Sequence, residues 1–314
     1  MGSTKKGKSA KGKPAKSGKG AAEAPGGKPA GPGRRHAPFS ELLRCPPGPV
    51  DVTAFDSSAT PGAIGNKAET RLAMPGFGER LADLQERLFA AAQAAGDHRR
   101  VLLVLQGMDT SGKGGTVKHV VGAVNPYGCQ IRSFKTPTKE ELKHDFLWRI
   151  RQALPSPGHL GVFDRSHYED VLIARVRELV PRTVWARRYG TINRFEERLA
   201  DDGCTVVKCF LHISPETQRE RLMARLDDPT KHWKYNPSDV DERLVWPEYA
   251  EAYNAVLTKC NTEAAPWHVI PSDRKWYRDY AVMMLLIEAF EGLGLEWPPG
   301  DFDLAEEKAR VAAS

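Results

Sequence analysis

Apolar residues recur along the chain with two spacings, and segments of the two kinds alternate. Short apolar runs of the kind that form buried strands lie at 101–105, 130–134, 159–163, 205–213 and 267–270. Longer segments between them carry apolar residues three or four positions apart, which is the spacing of one helix face. Strands that alternate with helices predict a parallel sheet covered on both faces, so the chain is expected to adopt an α/β fold.

Capping residues mark where several of the predicted helices begin. Thr138 and Glu141 form a capping box at the start of one helix, and Ser214 precedes another whose first residue is proline. Residues 39–75, rich in Pro and Gly, are predicted to form an irregular arm that lies on the body. The helices are predicted at 77–95, 113–124, 138–154, 168–200, from 215 onward and 275–290.

The segment after the first apolar run carries the most specific motif. Gly107 to Lys113 reads G-x-x-x-x-G-K, the pattern of a phosphate-binding loop between a strand and a helix. Glycines allow backbone N–H groups to close around phosphate oxygens, and the N-terminus of the next helix favours an anion. Lys113 supplies a mobile positive charge. The other residues predicted to bind phosphate here are Gly107, Thr110, Ser111, Gly112, Gly114, Gly115 and Thr116.

One position departs from the usual form of such a loop. Gly114 stands where the common pattern has the Ser or Thr that holds Mg²⁺, and Thr116 lies two positions further along the helix. Asp109, inside the loop, is therefore the nearest candidate for organising a metal ion. The alternative is that Asp109 only forms the turn, a common role for aspartate in such loops.

Asp164 ends another apolar strand. In phosphate-loop enzymes an acid at such a position holds Mg²⁺ directly or through water, and with Asp109 it would give two hard oxygen ligands. The alternative is that Asp164 caps the next helix. Arg165 follows at once and is placed to reach a transferring phosphoryl group, or instead to pair with Glu169 or Asp170.

A third cluster of charged residues follows the fourth predicted strand. Arg221 and Arg225 are four positions apart on a predicted helix, where like charges repel by a few tenths of a kcal/mol, roughly. A bound anion would offset this repulsion, and so would Asp227 and Asp228. Because this segment is an arginine-bearing lid in nucleotide kinases, we favour the anion and predict a lid at about 216–240. The predicted phosphate ligands of the lid are Arg221, Lys231 and Lys234.

The chain of 314 residues has a net charge of +6 that is unevenly distributed. Residues 1–38 hold ten basic residues and one acidic residue, so this segment carries +9 and the remainder carries −3. Its Gly, Lys, Ala, Pro and Ser composition predicts a disordered tail, either solvated or able to gather a polyanion. Five scattered cysteines predict reduced thiols. Without a secretory signal or an apolar membrane span, we expect a cytoplasmic protein with no membrane partner.

Four motifs taken together resemble the polyphosphate kinase 2 family. They are Gly107-Met-Asp-Thr-Ser-Gly-Lys-Gly-Gly115, Asp164-Arg-Ser-His-Tyr-Glu-Asp-Val-Leu172, Tyr189-Gly-Thr-Ile-Asn-Arg-Phe-Glu196 and Asp228-Pro-Thr-Lys-His-Trp-Lys234. The similarity extends over about residues 70 to 297, and Gly114 is itself a feature of that family. The resemblance implies a three-layer P-loop kinase fold like that of thymidylate kinase, with a parallel sheet and a helical lid. The predicted divisions are a tail at 1–38, an arm and helix at 39–97, the phosphotransferase domain at 98–300 and a C-terminal tail at 301–314.

The resemblance also implies an activity. It is the reversible, Mg²⁺-dependent transfer of phosphoryl groups between inorganic polyphosphate and adenine or guanine nucleotides by a homo-oligomer. By motif position, Asp109 and Asp164 are the metal-organising acids, Lys113 and Arg165 clamp phosphate, and Arg225 is the catalytic arginine of the lid. Because the nucleophile is an ionised phosphate, no general base is expected.

The residues after Asp164 bear on the acceptor. Tyr168 and Glu169 are predicted to bind the nucleotide, and Glu169 resembles the subgroup that acts on both mono- and diphosphates. Two other functions stay open: an ATP-dependent nucleotide kinase of the same fold, and a non-catalytic polyanion-binding protein. The intact Lys113 and Asp109 and the negatively charged body argue against the second, so nucleic acid is not an expected partner. The preference between AMP and ADP, the base and the net direction stay open.

Overall fold

The structure is a computed structural model that describes Gly2 and residues 37–314. Its strands form one parallel sheet in the order β2-β3-β1-β4-β5. The strands are β1 (Arg100–Gln106), β2 (Cys129–Ser133), β3 (Leu160–Asp164), β4 (Cys204–His212) and β5 (Trp267–Pro271). The five predicted strands and the α/β class are therefore confirmed. Apart from Gly2, Ala37 and Pro38, the predicted tail at 1–38 lies outside the described residues.

Helices cover both faces of the sheet, as predicted. The α-helices are α1 (Phe39–Leu42), α2 (Lys67–Ala95), α3 (Lys113–His119), α4 (Trp148–Arg151), α5 (Ile173–Val176), α6 (Arg182–Asp201), α7 (Pro215–Leu226), α8 (Ser238–Leu244), α9 (Trp246–Lys259), α10 (Lys275–Glu291) and α11 (Leu304–Ala312). Successive residues of β1 alternate between two cores. Val101, Leu103 and Leu105 pack with α2 and α10 on one face, and Leu102 and Val104 pack with α6 and α9 on the other.

The helix predicted at 77–95 begins ten residues earlier, at Lys67. Asn66 caps it, and Glu69 Oε2 accepts a hydrogen bond from the Asn66 N–H at 2.8 Å, which completes a capping box. Pro75 lies inside the helix. Because proline is the weakest helix former, it conceals this first part of the helix from the sequence pattern. The irregular arm is correspondingly shorter than predicted.

The helix predicted at 138–154 is wrong in extent. The capping box forms, with the N–H of Glu141 donating to Thr138 Oγ1 at 3.2 Å, but only a single 3₁₀ turn follows it at 141–143. The side chain of Asp145 then accepts from the N–H of Leu147 at 3.0 Å. That local bond competes with a continuous helix, and only the short helix α4 forms after it.

The helical stretch predicted at 168–200 is divided into three parts. A 3₁₀ turn at His167–Asp170 precedes α5, and α6 begins only after Pro181. Glu178, with a φ of 49°, lies between α5 and α6. A left-handed residue and a proline that lacks an N–H together prevent one continuous helix.

The C-terminal segment contains the exposed helix α11, where the sequence predicted a tail. No helix within residues 37–314 combines the length and the apolar composition that crossing a membrane requires.

Strand order brings the sequence motifs to one edge of the sheet. β1 and β3 are hydrogen-bonded neighbours with Leu105 opposite Asp164, and β4 lies on the other side of β1. The N–H of Arg165 continues the ladder by donating to the Leu105 carbonyl at 3.1 Å. Because parallel strands end at the same edge, the loop after β1 and the residues after β3 and β4 lie side by side.

A fully buried ion pair lies between the sheet and α6. Nζ of Lys208 on β4 donates to Glu196 Oε2 at 2.6 Å, to the Tyr168 hydroxyl at 2.8 Å and to the Cys260 carbonyl at 2.7 Å. His167 Nε2 lies 3.0 Å from the other oxygen of Glu196. These bonds fasten the 3₁₀ turn that follows β3, and removing one partner would leave a buried charge without compensation.

We predict that Lys208→Met lowers the free energy of unfolding by about 3–5 kcal/mol, because Glu196 would stay buried without its cation. Urea unfolding measures this change. Lys308→Met, at an exposed position of α11, serves as the control and should change the free energy by less than about 0.5 kcal/mol. Equal effects of the two substitutions would contradict a structural role for the buried pair.

Candidate phosphoryl-transfer site

The loop after β1 bends at two glycines. Gly107 and Gly112 have φ values of 152° and 112°, which side chains rarely tolerate. A Cβ at Gly107 would lie only 2.6 Å from the Leu211 carbonyl oxygen. Among the described residues, no backbone acceptor takes up the N–H groups of Gly112, Lys113 or Gly114 at the start of α3. Free N–H groups at a helix N-terminus are what an anion requires.

Three hydroxyl groups of the loop and α3 are buried without a hydrogen-bond partner in the described part of the chain. They are Thr110 Oγ1, Ser111 Oγ and Thr116 Oγ1. A buried polar group without a partner costs about 1–3 kcal/mol, so such groups are rare unless a ligand or water satisfies them. Phosphate oxygens are suitable acceptors for these hydroxyls, which supports their predicted role.

Lys113 folds back over the loop. Its Nζ donates to the carbonyl oxygens of Gly107 at 2.7 Å and Met108 at 3.3 Å. Burial and the neighbouring Arg165 lower the pKa of Lys113, and nearby carboxylates partly offset this. An ammonium group held by two neutral carbonyls gains a stronger partner when a phosphate oxygen arrives.

Asp109 is held by Arg165. One Nη of Arg165 donates to Asp109 Oδ1 at 2.7 Å. The guanidinium therefore links the segments after β1 and β3 and does not hydrogen-bond to Glu169 or Asp170. Burial alone would lower the pKa of Arg165, but Glu169, Asp109 and Asp164 raise it above its ordinary value. Arg165 has a φ of 64°, a left-handed conformation that costs about 1–3 kcal/mol and is typical of functional positions.

Asp164 ends β3 beside this pair. The side chain that caps the following 3₁₀ turn is Ser166, whose hydroxyl accepts from the N–H of Tyr168. The capping role considered for Asp164 is therefore taken by its neighbour. Within the described residues no hydrogen bond engages the Asp164 carboxylate, which acts electrostatically on both Lys113 and Arg165.

The two acids fit a magnesium ion by their chemistry. Asp109 and Asp164 offer hard carboxylate oxygens next to the phosphate loop, and Oδ2 of Asp109 is free of the bond to Arg165. No group of three or more His, Cys, Asp or Glu side chains suited to a metal occurs in residues 37–314. Two protein carboxylates suffice for Mg²⁺, since this ion usually completes its coordination with water and substrate phosphates.

A polar cleft of about 230 Å³ opens between the loop and the segments that follow β4. Glu169 lies in it and accepts from Gln106 Nε2 at 3.1 Å. Burial raises the pKa of Glu169, although Arg165 acts in the opposite direction. The lining residues are Gly107, Met108, Asp109, Thr136, Arg165, Glu169, Leu172, Ile173, Gln218, Asn236, Ser238, Asp239, Glu242, Tyr249 and Tyr253.

The structure does not bring Tyr168 to this cleft. Its ring is fully buried against Trp267, and its hydroxyl bonds to Glu196 and Lys208. The predicted nucleotide contact is therefore replaced by a structural role. Neighbouring residues of a turn point in different directions, so Glu169 reaches the cleft while Tyr168 reaches the core.

Arg221 supports the loop from behind. Its guanidinium donates to four backbone carbonyls, those of Thr110, Ser111, Ser272 and Asp273, at 2.6 to 3.1 Å. Burial and the neighbouring Arg278 lower the pKa of Arg221 to about 10. In this conformation Arg221 is committed to the loop backbone instead of being open to a phosphate.

Arg225 lies one turn further along α7 and bonds within the lid. It donates to the Lys234 carbonyl at 2.9 Å and pairs with Asp239 at 3.2 Å. Lys231 pairs with Asp228 at 2.6 Å. The Asp228 carboxylate is therefore not the partner that neutralises Arg221 or Arg225. The predicted lid therefore consists of α7, a 3₁₀ turn at Pro229–Lys234 and α8. Its exposed Lys231 and Lys234 stay predicted phosphate ligands.

Several residues of the cleft were not found from the sequence. Gln218 Nε2 donates to the Asp109 carbonyl at 3.0 Å, and its helical spacing from Arg221 and Arg225 on one face could have revealed it. Asp239 and Tyr253 come from α8 and α9, whose sequences carry no motif. Only the tertiary fold brings those two side chains to the loop.

Comparisons with known proteins agree with this geometry. A family model described as Polyphosphate kinase 2 (PPK2) matches residues 75–294. The AMP/ADP-polyphosphate phosphotransferase of Meiothermus ruber is 46% identical over 253 residues, which cover 81% of this chain and 93% of that protein. The ADP-polyphosphate phosphotransferase of Rhodopseudomonas palustris is 42% identical, covering 70% and 78%.

A solved structure shares the fold. The crystal structure of polyphosphate kinase 2 from Arthrobacter aurescens TC1 superposes with a TM-score of 0.86 at 49% identity and covers 89% of this chain and 98% of that one. It confirms the P-loop kinase fold expected from the sequence. Because the family model spans most of the chain and the relatives align over more than two thirds of it, the chain belongs to the polyphosphate kinase 2 family of phosphoryl-transferring enzymes.

Proposed function

We propose that this enzyme transfers phosphoryl groups from inorganic polyphosphate to AMP and ADP in a Mg²⁺-dependent, reversible reaction. The observation that carries the proposal is one cleft lined by Asp109, Arg165 and Glu169 beneath the lid. Lys113 of the adjoining loop interacts electrostatically with all three. The names of the relatives from M. ruber and R. palustris support polyphosphate as donor and adenine nucleotides as acceptors. Guanine acceptors, a homo-oligomeric state and a cytoplasmic location stay predictions.

Phosphoryl transfer between two phosphates requires mainly positioning and charge stabilisation. Polyphosphate carries roughly one negative charge per unit, by analogy with a nucleic-acid backbone. Lys113 and the free N–H groups of α3 would bind the phosphates at the loop. Arg165 would stabilise the charge that develops on the moving group, because its guanidinium lies on the cleft beside Asp109.

Asp109 and Asp164 would hold Mg²⁺ at this site. A bound Mg²⁺ polarises the phosphoryl oxygens and neutralises part of the charge of donor and acceptor. The carboxylates of Asp109, Asp164 and Glu169 outnumber the two cations Lys113 and Arg165. This site therefore favours a cation before a polyanion binds.

The acceptor would enter beside Glu169, on the side of the cleft formed by α8 and α9. The lid would close over the phosphates through α7 and α8. Arg225 now bonds within the lid, so contact with substrate would require it to exchange Asp239 for a phosphate. Such an exchange is consistent with an interaction that forms only on closure.

We predict that the purified protein makes ADP and then ATP from AMP, polyphosphate and Mg²⁺ without added ATP. Chromatography of AMP, ADP and ATP over time measures this. Replacing polyphosphate by orthophosphate is the control. Turnover of ADP alone, with AMP inert, would reject the mononucleotide acceptor and keep the family activity. Turnover that required added ATP would reject polyphosphate as donor.

We predict that Asp109→Asn and Asp164→Asn each lower kcat by about 100-fold or more, because each loses a metal-organising charge. Initial rates over a range of Mg²⁺ concentrations measure this. Asp202→Asn is the matched control: its carboxylate pairs with Arg100 at the opposite end of β1, so its kcat should stay within about twofold of wild type. Near-normal kcat at saturating Mg²⁺ would return Asp109 to a turn-forming role, or would reject Asp164 as a metal-organising acid.

We predict that Lys113→Ala weakens phosphate binding and also lowers kcat, whereas Arg225→Ala lowers kcat more than it weakens binding. The loop lysine contacts phosphate in every state, and the lid arginine acts mainly in the transition state. Steady-state kinetics and calorimetric binding of nucleotide and polyphosphate separate the two effects. Lys118→Ala, exposed on the same helix as Lys113, is the control. Unchanged kcat in Arg225→Ala would show that this arginine only stabilises the lid.

A further inference from the structure

Arg278 lies directly behind the phosphate loop, although no motif points to it. The side chain belongs to α10 and is only 2% exposed. Its Nε and Nη2 donate to Asp279 Oδ1 at 2.9 and 2.6 Å, and its Nη1 donates to the Ser111 carbonyl at 3.4 Å. The guanidinium therefore joins the last helix of the core to the middle of the loop.

Two glycines of the loop make room for this guanidinium. A Cβ at Gly112 would lie 1.7 Å from Nη1 of Arg278, and a Cβ at Gly115 would lie 2.8 Å from Nη2. Gly115 has no positive φ, so its backbone conformation alone would admit a side chain. By contrast, a Cβ at Gly114 meets nothing within 4 Å. A side chain at position 115 would therefore displace the guanidinium of Arg278.

The Ser111 carbonyl receives two guanidinium groups. Arg221 Nη1 donates to it at 3.1 Å from one side, in addition to the 3.4 Å contact from Arg278. In a trans peptide the C=O and the next N–H point in opposite directions. Holding the Ser111 carbonyl towards the arginines therefore directs the Gly112 N–H, which has no backbone acceptor, to the opposite side of the loop.

The charges around Arg278 are arranged to keep it in place. Asp279 neutralises it, and the other oxygen of Asp279 lies 2.9 Å from His119 Nδ1 at the end of α3. Arg221, which faces Arg278, has neutral carbonyls as its hydrogen-bond partners. Two arginines side by side repel each other, so a role in the free protein's stability alone explains this arrangement poorly, whereas an anion on the far side of the loop would stabilise both.

We propose that Arg278 is a positioning residue for phosphoryl transfer, which fixes the Ser111–Gly112 peptide so that the Gly112 N–H faces the bound phosphate. This inference rests on the proposed phosphate-binding role of the loop. Arg278 touches no substrate and acts through the loop backbone. Gly115 contributes by leaving room for the guanidinium.

The first test compares Arg278→Lys with Arg100→Lys. Lysine keeps the charge and removes the planar fork that holds two groups at once. Arg100 is also a buried arginine, but it bonds to His98 and Asp202 at the opposite end of β1. We expect Arg278→Lys to lower kcat by roughly 10- to 100-fold with a smaller change in KM, as for loss of an oriented N–H donor. Arg100→Lys should keep the wild-type kcat.

Thermal unfolding of the same variants separates positioning from stability. The proposal expects the unfolding midpoint of Arg278→Lys to fall no further than that of Arg100→Lys. Wild-type kcat in Arg278→Lys, or the same loss of kcat in both variants, would overturn the proposal. Lys113→Ala is measured alongside: if it keeps turnover, the proposed role of the loop fails, and if it alone loses turnover, only the inference about Arg278 fails.

The single variant Gly115→Ala keeps the proposal testable if Arg278→Lys folds poorly, and a double-mutant cycle of the two extends the test where both fold. Alanine is a better helix former than glycine, so Gly115→Ala should not destabilise α3, yet its Cβ would displace the guanidinium. We expect Gly115→Ala to lower kcat in the wild type and to cause no further loss in Arg278→Lys, which removes the clashing atoms. Full kcat in Gly115→Ala, or equal losses in both backgrounds, would overturn the proposal.

Discussion

The site depends on the hydrogen-bonded pairing of β1 and β3. The Leu105 carbonyl accepts from the N–H of Arg165 at 3.1 Å, just beyond the last paired residues of the two strands. This one bond fixes how far the residues after β3 extend beside the loop after β1. The left-handed backbone of Arg165 then turns its guanidinium onto Asp109. Without this register, Asp109 and Asp164, the proposed metal-organising acids, would not meet Arg165, the proposed transfer arginine.

Charge balance explains how the cleft accepts a polyanion. Lys113 and Arg165 lie near the carboxylates of Asp109, Asp164 and Glu169, so this site carries an excess of negative charge without a ligand. A divalent cation would compensate that excess. Behind the loop the balance is reversed, since Arg221 and Arg278 lie together and only Arg278 bonds to a carboxylate. A bound phosphate would therefore lie between a metal on one side and Arg221 and Arg278 on the other.

Local motifs made the loop predictable, because Gly107 to Lys113 and Asp164 each sit at the end of an apolar strand in the expected order. The nucleotide contact predicted for Tyr168 was wrong because adjacent residues of a turn point in different directions. The hydroxyl of Tyr168 instead accepts from the buried Lys208 in the core. Arg278 and Tyr253 reach the site from α10 and α9. Such contacts depend on tertiary packing, and neither residue lies in a motif, so the sequence alone could not indicate them.

The central claim is that Lys113 and Arg165, which follow the adjacent strands β1 and β3, act as one unit on the moving phosphoryl group. A double-mutant cycle of kcat with Lys113→Ala on the loop and Arg165→Gln after β3 tests it most directly. Groups that act as a unit give strongly non-additive losses, so the double variant should be little slower than the slower single variant. Losses that multiply, as for two independent sites, would contradict a shared catalytic cleft.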